Sequence, residues 1–568
     1  MDIEIKEHKK PTLLQSLLPI FVLMGLLAIS VLVIWRDDSL GGANQMALLF
    51  STGVAMIIGW RMNFRFVEML KGVTDAINTA LPAILILLLI GALAGTWLIS
   101  GIVPTMIYYG LKILSPTYFL FSACIISAII SLATGSSWST IATVGVALFG
   151  IGQALGITPG LVAGAIISGA YFGDKMSPMS DTTNLAPAVA GSDLFTHIRY
   201  MLYTTIPSIS IALIVFLIWG FFVGDGGSNS QIDEMLVSIE SSFYISPILF
   251  LVPAAVIALI IMKVDAIPAL FVGVLLGGVF AVAFQPDLIT LQGKKSNIYL
   301  TGENLDAYTV RWYNEDGDEL SKKDYAWNLS GGSYTLSIEK GEKKILQTIT
   351  VPTGLESDEV FNIEGDQRLE DWGMGITLSR SGYLESAYRS TIDAMTVDTS
   401  VDTGNAKVND LLGTRGMSGM LGTIWLIVCA MAFGGVLERL GMLNRITASL
   451  VAKAKSNGSL VATTALTCVG FNVTASDQYL SIVVPGKMFA KEFEKRGLAA
   501  QNLSRTLEDA GTVTSVLVPW NTCGAVQSNV LGIATGEYFM YCIFNLVSPL
   551  MTMTFGFLGI KIAKLKKS

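Results

Sequence analysis

Charged side chains are scarce in this 568-residue chain, at 14% of the residues, whereas a soluble protein of this size carries about a quarter. Histidine occurs only as His8 and His197, which excludes the HExxH zinc motif. Neither GxSxG nor GxxxxGK[ST] occurs, so no catalytic residue is predicted. The five cysteines all lie in apolar segments, so no disulfide framework is implied. The chain also lacks a basic stripe for nucleic acid.

Long apolar runs take the place of charge, since 52% of the residues are hydrophobic. A helix that crosses the bilayer needs about 20 such residues. Glycine pairs such as Gly91 and Gly95 indicate close helix packing. The runs predict ten spans, at 14–35, 43–60, 79–100, 159–190, 200–222, 246–263, 266–284, 417–437, 508–535 and 538–560. Two further segments, 117–152 and 457–490, have shorter apolar arms around a polar centre, and we expect them to be re-entrant.

Lysine and arginine sort to one side of this arrangement. With the N-terminus inside, the cytoplasmic loops receive residues such as Arg61, Arg199 and Lys487, whereas the outer loop 223–245 has neither lysine nor arginine. An excess of these residues marks the cytoplasmic side of a membrane protein. We therefore predict a multi-pass protein of the cell inner membrane with both termini in the cytoplasm.

An internal repeat accompanies the span pattern. A shift of 340 residues places Thr134 on Thr474, and a shift of 341 places Pro178 on Pro519. Each repeat holds five predicted spans, an odd number, so the second repeat is expected to lie upside down relative to the first. Inverted repeats are common in secondary transporters, whose sites lie where broken helices meet near the midplane.

A polar segment with a strand pattern interrupts the second repeat. YTVRWY at 308–313 alternates apolar and polar residues, and SYTLSIE and KILQTITV flank a short turn. We predict a compact β-sandwich at 288–353, on the external side, followed by a linker and an amphipathic helix.

The expected fold class is an all-α polytopic membrane protein. It has two inverted five-span repeats, each with a re-entrant hairpin and a broken helix, plus a small external β-sandwich insert. The expected parts are 1–285, the first repeat and the first two spans of the second; 286–405, the external β-rich insert and linker; and 406–568, the remainder of the second repeat.

Four polar clusters interrupt the membrane segments, at Thr134–Thr140, Gly173–Asn184, Asn472–Gln478 and Glu508–Ala525. Their short polar side chains compete with the helix for backbone hydrogen bonds. A backbone that opens within a bilayer persists only where protein or a cavity satisfies it. The released carbonyls and amide ends suit a small cation and an anionic group, respectively. We therefore expect the transport site at these clusters.

Ionisable residues in the clusters are candidates for ion binding and proton coupling, because charges within a membrane are costly and usually functional. Asp181 ranks first, since it stands in a row of five oxygen-bearing side chains, and we expect Na⁺ to bind there. The other candidates are Asp174, Asp509, Asp477, Ser136, Ser137, Thr182, Thr183, Asn184, Asn521 and Thr522, with Lys175 as a charge partner.

Some of these residues also fit structural roles. Asp174 and Lys175 are neighbours and are consistent with a buried ion pair. Glu508 and Asp509 are equally consistent with the first turn of a helix near the cytoplasmic end of a span. His197 is expected at a span end, on the surface or among lipid headgroups.

Four motifs resemble the NhaC family of Na⁺/H⁺ antiporters, and the resemblance covers essentially the whole membrane body. They are AIISGAYFGDKMSPMSDTTNLAP (165–187), HIRYMLYTTIP (197–207), GSSWSTIATVG (135–145) and LVPWNTCGA (517–525). The resemblance implies an ion-transporter-superfamily fold, with paired re-entrant hairpins and broken helices, and exchange of external protons for internal Na⁺. Some relatives are thought to exchange malate and lactate instead. The β insert departs from the compact family pattern.

The expected function is secondary active antiport, in which cytoplasmic Na⁺ leaves and external H⁺ enters by alternating access at a midplane site. The first alternative is a Na⁺-coupled organic-acid exchanger, with Lys175 as the anion partner. The second is a membrane receptor that senses an external ligand through the β domain, although a sensor does not need two symmetric helix breaks. No enzymatic activity and no cofactor is expected. The expected partners are Na⁺, H⁺ and the lipid bilayer, with homo-oligomerisation left open.

Overall fold

The computed structural model describes residues 9–29, 42–223, 229–262, 264–293, 295–302, 305–330, 332–341, 343–351, 361–363, 367–451 and 454–565. The chain is mostly helical. Its first part contains α1 (Leu13–Ile29), α2 (Ala43–Arg61), α3 (Phe66–Ile99), α4 (Ile102–Ile113), α5 (Pro116–Thr134), α6 (Ser137–Thr140), α7 (Val146–Ala154), α8 (Pro159–Met176), α9 (Asp181–Ala190), α10 (Leu194–Val223), α11 (Asn229–Ser242), α12 (Leu251–Ile261), α13 (Ala266–Phe284) and α14 (Pro286–Gly293).

The second part begins with the strands β1 (Ser296–Gly302), β2 (Thr309–Tyr313), β3 (Glu319–Ser321), β4 (Tyr325–Leu329), β5 (Gly332–Lys340), β6 (Lys343–Val351), β7 (Phe361–Ile363) and β8 (Met374–Arg380). The helix α15 (Gln367–Glu370) lies among them, and α16 (Tyr383–Thr396), β9 (Thr399–Ser400), α17 (Ala406–Leu411) and β10 (Gly413–Thr414) follow. The last helices are α18 (Leu421–Arg439), α19 (Met442–Val451), α20 (Asn457–Thr474), α21 (Gln478–Lys495), α22 (Ala500–Leu507), α23 (Thr522–Leu531), α24 (Thr535–Tyr538) and α25 (Ile543–Leu558).

The number of continuous spans is smaller than predicted. Among the described residues, six helices are long and apolar enough to cross a membrane, or up to eight spans if each of two bent pairs counts as one. Two of the ten predicted spans, 159–190 and 508–535, are interrupted by non-helical residues, which shortens their helices. The first predicted span, 14–35, contributes a shorter apolar helix, and its residues 30–35 lie outside the described part. Conversely, α5 was predicted as the first arm of the re-entrant segment 117–152, but it is long enough to cross the membrane.

Helices break at all four polar clusters. The first break pair consists of residues 135–136, between α5 and α6, and residues 177–180, between α8 and α9. The second break pair consists of residues 475–477, between α20 and α21, and residues 518–521, before α23. Each break ends on a polar residue whose side chain accepts a hydrogen bond from the following helix, as helix caps do. These residues are Ser136, Ser180, Asp477 and Asn521.

Within each pair, the two breaks touch each other. Gly135 has φ of +71°, and a Cβ atom there would lie 2.8 Å from the carbonyl carbon of Met179. In the second pair, the Thr522 amide donates to the carbonyl of Ser476 at 3.0 Å. Ser476 itself has φ of +59°, a conformation that costs a residue other than glycine some strain. The bond from Thr522 satisfies a backbone carbonyl that the break at 475–477 exposes.

Two four-stranded sheets form the β-rich segment, with strand orders β4-β1-β8-β7 and β3-β2-β5-β6. Both sheets contribute to one apolar core, which includes Ile298, Trp312 and Ile338. The predicted hairpin is present, since Gly332–Lys340 pairs with Lys343–Val351. The β-sandwich extends beyond its predicted C-terminal limit at residue 353, since β8 (Met374–Arg380) pairs with β1 along its whole length.

The two ends of the β-rich segment meet at a short neck. The Lys295 amide donates to Ser381 Oγ, and the Ser381 amide donates to the Lys295 carbonyl, both at 2.9 Å. Helix α16 then packs on α3, where a Cβ atom on Gly95 would lie 1.6 Å from the Ala394 carbonyl oxygen. The predicted close packing at Gly95 is therefore confirmed, and its partner is α16.

Candidate functional site

A cavity of about 730 Å³ lies where the four breaks meet. Ser136 and Met179 line it from the first break pair, and Asp477 and Thr522 line it from the second. The wall is completed by residues of α3, of the end of α12 and of the start of α13, among them Thr79, Pro82, Ile260 and Ala266. The helix breaks therefore converge on a space of the size that small-ligand sites have in proteins.

The lining of this cavity carries charge of one sign. Among the described lining residues, Asp174, Asp181, Asp265 and Asp477 are acidic, and none is a lysine, an arginine or a histidine. Cations are attracted to such a site and anions are repelled by it. In the described part of the chain, no group of three or more His, Cys, Asp or Glu residues could hold a metal ion. A cation in the cavity would therefore rely on neutral oxygens besides one or two carboxylates.

Asp181 is the first residue of α9, and its side chain is exposed to the cavity. Its Oδ2 accepts a hydrogen bond from the Tyr479 hydroxyl, and its Oδ1 accepts one from the Thr182 amide at 2.9 Å. Backbone N–H groups at a helix N-terminus favour negative charge. The first break pair thus holds an accessible carboxylate directly after residues 177–180, and a side chain from α21 contacts it.

Asp174 lies in the last turn of α8 and is buried. Its Oδ2 accepts from the Ser137 amide at 3.1 Å and from the Ser137 hydroxyl at 2.7 Å. Its Oδ1 is buried and has no partner in the described structure. Asp174 is close enough to Asp181 for the two carboxylates to interact electrostatically. The two carboxylates therefore form the acidic centre of the first break pair.

The candidates beside Asp181 that carry hydroxyl or amide groups mainly form hydrogen bonds around the break at 177–180. Thr183 Oγ1 donates to the carbonyl oxygens of Asp174 and Lys175, at 3.2 and 3.0 Å. Asn184 Nδ2 donates to the carbonyl of Pro178 at 2.9 Å. The Thr182 hydroxyl pairs with that of Ser180 at 3.2 Å. These side chains satisfy backbone and capping groups, and they do not line the cavity.

The candidates of the second break pair are also engaged in local contacts. Asp477 Oδ1 accepts from the Leu480 amide at 2.9 Å, which makes Asp477 the cap of α21. Asn521 Oδ1 accepts from the Cys523 amide at 3.0 Å, and its Nδ2 donates to the carbonyl of Asn472 at 3.1 Å. Thr522 and Asp477 line the cavity, whereas Asn521 does not.

Lys175 is fully buried and forms its ion pair with Asp509, not with Asp174. Its Nζ also donates to Ser548 Oγ at 3.1 Å. The structural alternative of an Asp174–Lys175 ion pair is therefore wrong, because these side chains leave α8 in different directions although they are neighbours in sequence. Neither Lys175 nor Asp509 lines the cavity.

One alternative, for Glu508, and one expectation, for His197, are also wrong. Glu508 does not stand in a first helical turn, because α22 begins at Ala500 and continues into a π-helical turn, Glu508–Thr512. His197 is completely buried, with Nδ1 2.8 Å from Ser504 Oγ. It is buried because α10 packs against α22, which covers this face.

Sequence reasoning missed Tyr479, the partner of Asp181, and Ser548, the partner of Lys175. Tyr479 directly follows the polar cluster Asn472–Gln478, so its position was a usable signal. Ser548 lies in an apolar helix that carries no comparable signal.

Comparison with known proteins places the chain in a family. The Na⁺/H⁺ antiporter family model matches residues 169–291 and 376–560 and leaves out most of the β-rich segment. A Na⁺/H⁺ antiporter NhaC of Alkalihalophilus pseudofirmus is 33% identical over 98% of both chains. A malate-2H⁺/Na⁺-lactate antiporter of Bacillus subtilis is 30% identical, over 98% of this chain and 96% of that relative. A Na⁺/H⁺ antiporter NhaC of Bacillus subtilis is 29% identical over 86% of both chains. This multi-pass membrane chain therefore belongs to the Na⁺/H⁺ antiporter family, as the motifs predicted.

Proposed function

We propose that the protein exchanges cytoplasmic Na⁺ for external H⁺ by alternating access at the cavity between the four helix breaks. The observation that carries this proposal is the acidic lining, which includes both Asp174 and Asp181 and contains no basic side chain among the described residues. The family and the NhaC relatives support the same exchange.

The charge of the cavity favours a cation over an organic acid. Lys175 was the expected partner for a carboxylate substrate, but it is fully buried and engaged with Asp509 and Ser548. An organic anion in the cavity would meet acidic groups without a compensating cation. The malate and lactate exchange named for one relative is therefore the weaker candidate for this chain.

Coupling follows from competition at the carboxylates. Asp181 binds Na⁺ or a proton, and Asp174 supplies the second carboxylate. A protonated carboxyl is neutral and attracts Na⁺ weakly, whereas bound Na⁺ stabilises the ionised form and so disfavours the proton. The Tyr479 hydroxyl, and carbonyl oxygens released at the breaks, are available to complete the ligand shell. Because two adjacent carboxylates titrate together, the proton belongs to the pair.

The proposed architecture has two inverted repeats, with the breaks near the membrane midplane. Breaks recur at an offset of about 341 residues, since Ser136 and Asp477 cap one pair of helices and Ser180 and Asn521 cap the other. The distribution of lysine and arginine supports cytoplasmic termini. The same reasoning puts the β-rich segment outside the cell.

The test uses purified protein in liposomes, with a pH-sensitive dye inside. Addition of Na⁺ or Li⁺ should change the internal pH with wild-type protein. Asp181→Asn keeps the size and hydrogen-bonding capacity of the side chain but removes its charge and exchangeable proton, so the signal should disappear. Asp193→Asn, which changes a carboxylate outside the cavity that bonds the Thr196 amide, is the matched control and should behave as wild type.

Two outcomes would contradict this function. The first is normal exchange by Asp181→Asn, which would remove that carboxylate from the mechanism. The second is a wild-type protein that responds to malate or lactate gradients and not to Na⁺ alone, which would favour the organic-acid exchanger.

A further inference from the structure

Glu508 is a buried acid that the proposed exchange does not use. It is completely buried in the π-helical turn that follows α22, and it does not line the cavity. Neither of its carboxylate oxygens has a hydrogen-bond partner in the described structure, although the hydroxyls of Thr512 and Thr182 lie near the carboxylate. Single π-helical turns within helices occur frequently at functional sites. A side chain this costly to bury therefore needs an explanation beyond packing.

The surroundings of Glu508 do not compensate a negative charge. Lys175 and Asp174 on α8 are the charged residues that interact with it from another helix, and Asp509 is next to it in sequence. Lys175 is already paired with Asp509. Of the helices that pack on this turn, α20 and α25 contain no charged residue, whereas α9 begins with Asp181 and α21 carries its charges toward its C-terminal end. Helix α22 carries the buried Arg505, whose guanidinium lies over the Tyr200 ring and donates to the Lys561 carbonyl. An ionised Glu508 would be a buried carboxylate without a partner, at a cost of several kcal/mol. The structure therefore fits a Glu508 that holds a proton.

Glu508 is nevertheless within reach of the transport site. It interacts electrostatically with Asp174, which lines the cavity. The turn that carries Glu508 also packs against α9, which begins at Asp181. Arrival of Na⁺ at the cavity carboxylates would lower the cost of a negative charge nearby, because an adjacent cation favours ionisation. A change in cation occupancy can therefore change the protonation of Glu508 without direct contact.

We propose that Glu508 is a second proton-binding site, distinct from the cation site at Asp181 and Asp174. It releases its proton when Na⁺ occupies the cavity and takes one up when Na⁺ leaves. One cycle then moves one Na⁺ outward and two protons inward, one on the cavity carboxylates and one on Glu508. The net result is one positive charge inward per cycle. This inference rests on the proposed function, because it assigns a further proton to the same exchange.

The experiment measures the number of protons moved per Na⁺ in liposomes. Na⁺ and H⁺ gradients are fixed, the membrane potential is varied with K⁺ and valinomycin, and the potential at which net flux stops gives the ratio. We expect about two protons per Na⁺ for wild type and about one for Glu508→Gln, whose exchange should no longer respond to potential. Gln matches the neutral carboxyl in shape, so exchange of ²²Na⁺ for Na⁺ should stay within about twofold of wild type.

Glu508→Asp keeps an ionisable group and serves as the control, with an expected ratio of about two. A wild-type ratio of one, or the same ratio in wild type and Glu508→Gln, would overturn the inference while leaving Na⁺/H⁺ exchange intact. Loss of ²²Na⁺ exchange by correctly inserted Glu508→Gln would also overturn it, because Glu508 would then belong to the cation site. Absence of any Na⁺-dependent proton flux in wild type would instead contradict the proposed function.

Discussion

The two break pairs share a backbone plan but differ in how they use their acidic residues. In the first pair, the serines Ser136 and Ser180 cap the helices. Asp174 and Asp181 are therefore not needed as caps. In the second pair, Asp477 is itself the cap of α21. The residue after the second cap also differs: it is Asp181 after Ser180 in the first pair, but Thr522 after Asn521 in the second. On the proposed mechanism, the first pair carries the exchangeable charge and the second pair mainly supports the cavity wall.

Replacement of one aspartate by asparagine in each break pair tests this difference most strongly. Asp174→Asn removes one of the two cavity carboxylates of the proposed site, so we expect the initial rate of Na⁺-dependent pH change to fall about 100-fold. Asp477→Asn should stay within about threefold, because Asn caps a helix as well as Asp does. The measurement is the rate in liposomes at equal protein content. Equal losses in both variants would show that both pairs carry essential charge.

The buried ion pair is the next test, because Lys175 on α8 and Asp509 after α22 join the two break pairs. Lys175→Met leaves the Asp509 carboxylate buried without its partner, which typically costs about 3–5 kcal/mol. We expect a clear drop in the thermal unfolding temperature in detergent, with at least half recovered by the double variant Lys175→Met, Asp509→Asn. Lys112→Met, at an exposed lysine bonded to Tyr108, is the control and should change little. No recovery in the double variant would argue against the pair as the cause.

A smaller effect is expected where the two breaks of the first pair touch. Gly135 and Gly191 both have positive φ, so an alanine at either position costs about 1–2 kcal/mol. Gly135→Ala also places Cβ 2.8 Å from the carbonyl carbon of Met179, whereas Gly191 has nothing within 4 Å. Gly135→Ala should therefore destabilise the protein by about 1–3 kcal/mol more than Gly191→Ala, by thermal unfolding. Equal destabilisation would mean that the contact between the breaks is loose.

The smallest effect is expected from removal of the β-rich segment, which interrupts the chain between α14 and α16. Its ends meet at Lys295 and Ser381, so a short Gly/Ser linker can replace residues 296–380 without displacing α14 or α16. Exchange should stay within about threefold of wild type. Removal of 296–396 is the control and should abolish correct assembly, because α16 packs on α3. Loss of exchange in the shorter deletion, despite normal insertion, would show that the segment participates in transport.

Local features of this molecule were predictable from sequence, whereas partnerships between distant residues were not. The four breaks were predicted because capping groups lie within a few residues of the helix that they cap, as Asp477 does for Leu480. The bond between Tyr479 and Asp181 joins residues 298 positions apart, and the Lys175–Asp509 pair joins residues 334 positions apart. Such contacts depend on which helix faces pack together, and burial of His197 has the same origin.

Residue type alone also failed to separate ligands from structural groups. Asp174, Asp477 and Asp509 are identical in chemistry and all lie at polar clusters. Their environments differ, since Asp174 lines the cavity and accepts from Ser137, Asp477 caps a helix and Asp509 pairs with a lysine. A single sequence offers no means to distinguish these environments before the helices are placed.

The contact between Gly95 and the Ala394 carbonyl has a consequence for the evolution of the family. No side chain larger than hydrogen fits at position 95 while α16 occupies its place. Relatives that have a helix equivalent to α16 should therefore carry glycine at the equivalent of position 95, whereas relatives without it are free to vary there. Joint presence or absence of the two features across an alignment would reveal when this helix was acquired, independently of how fast the β strands have diverged.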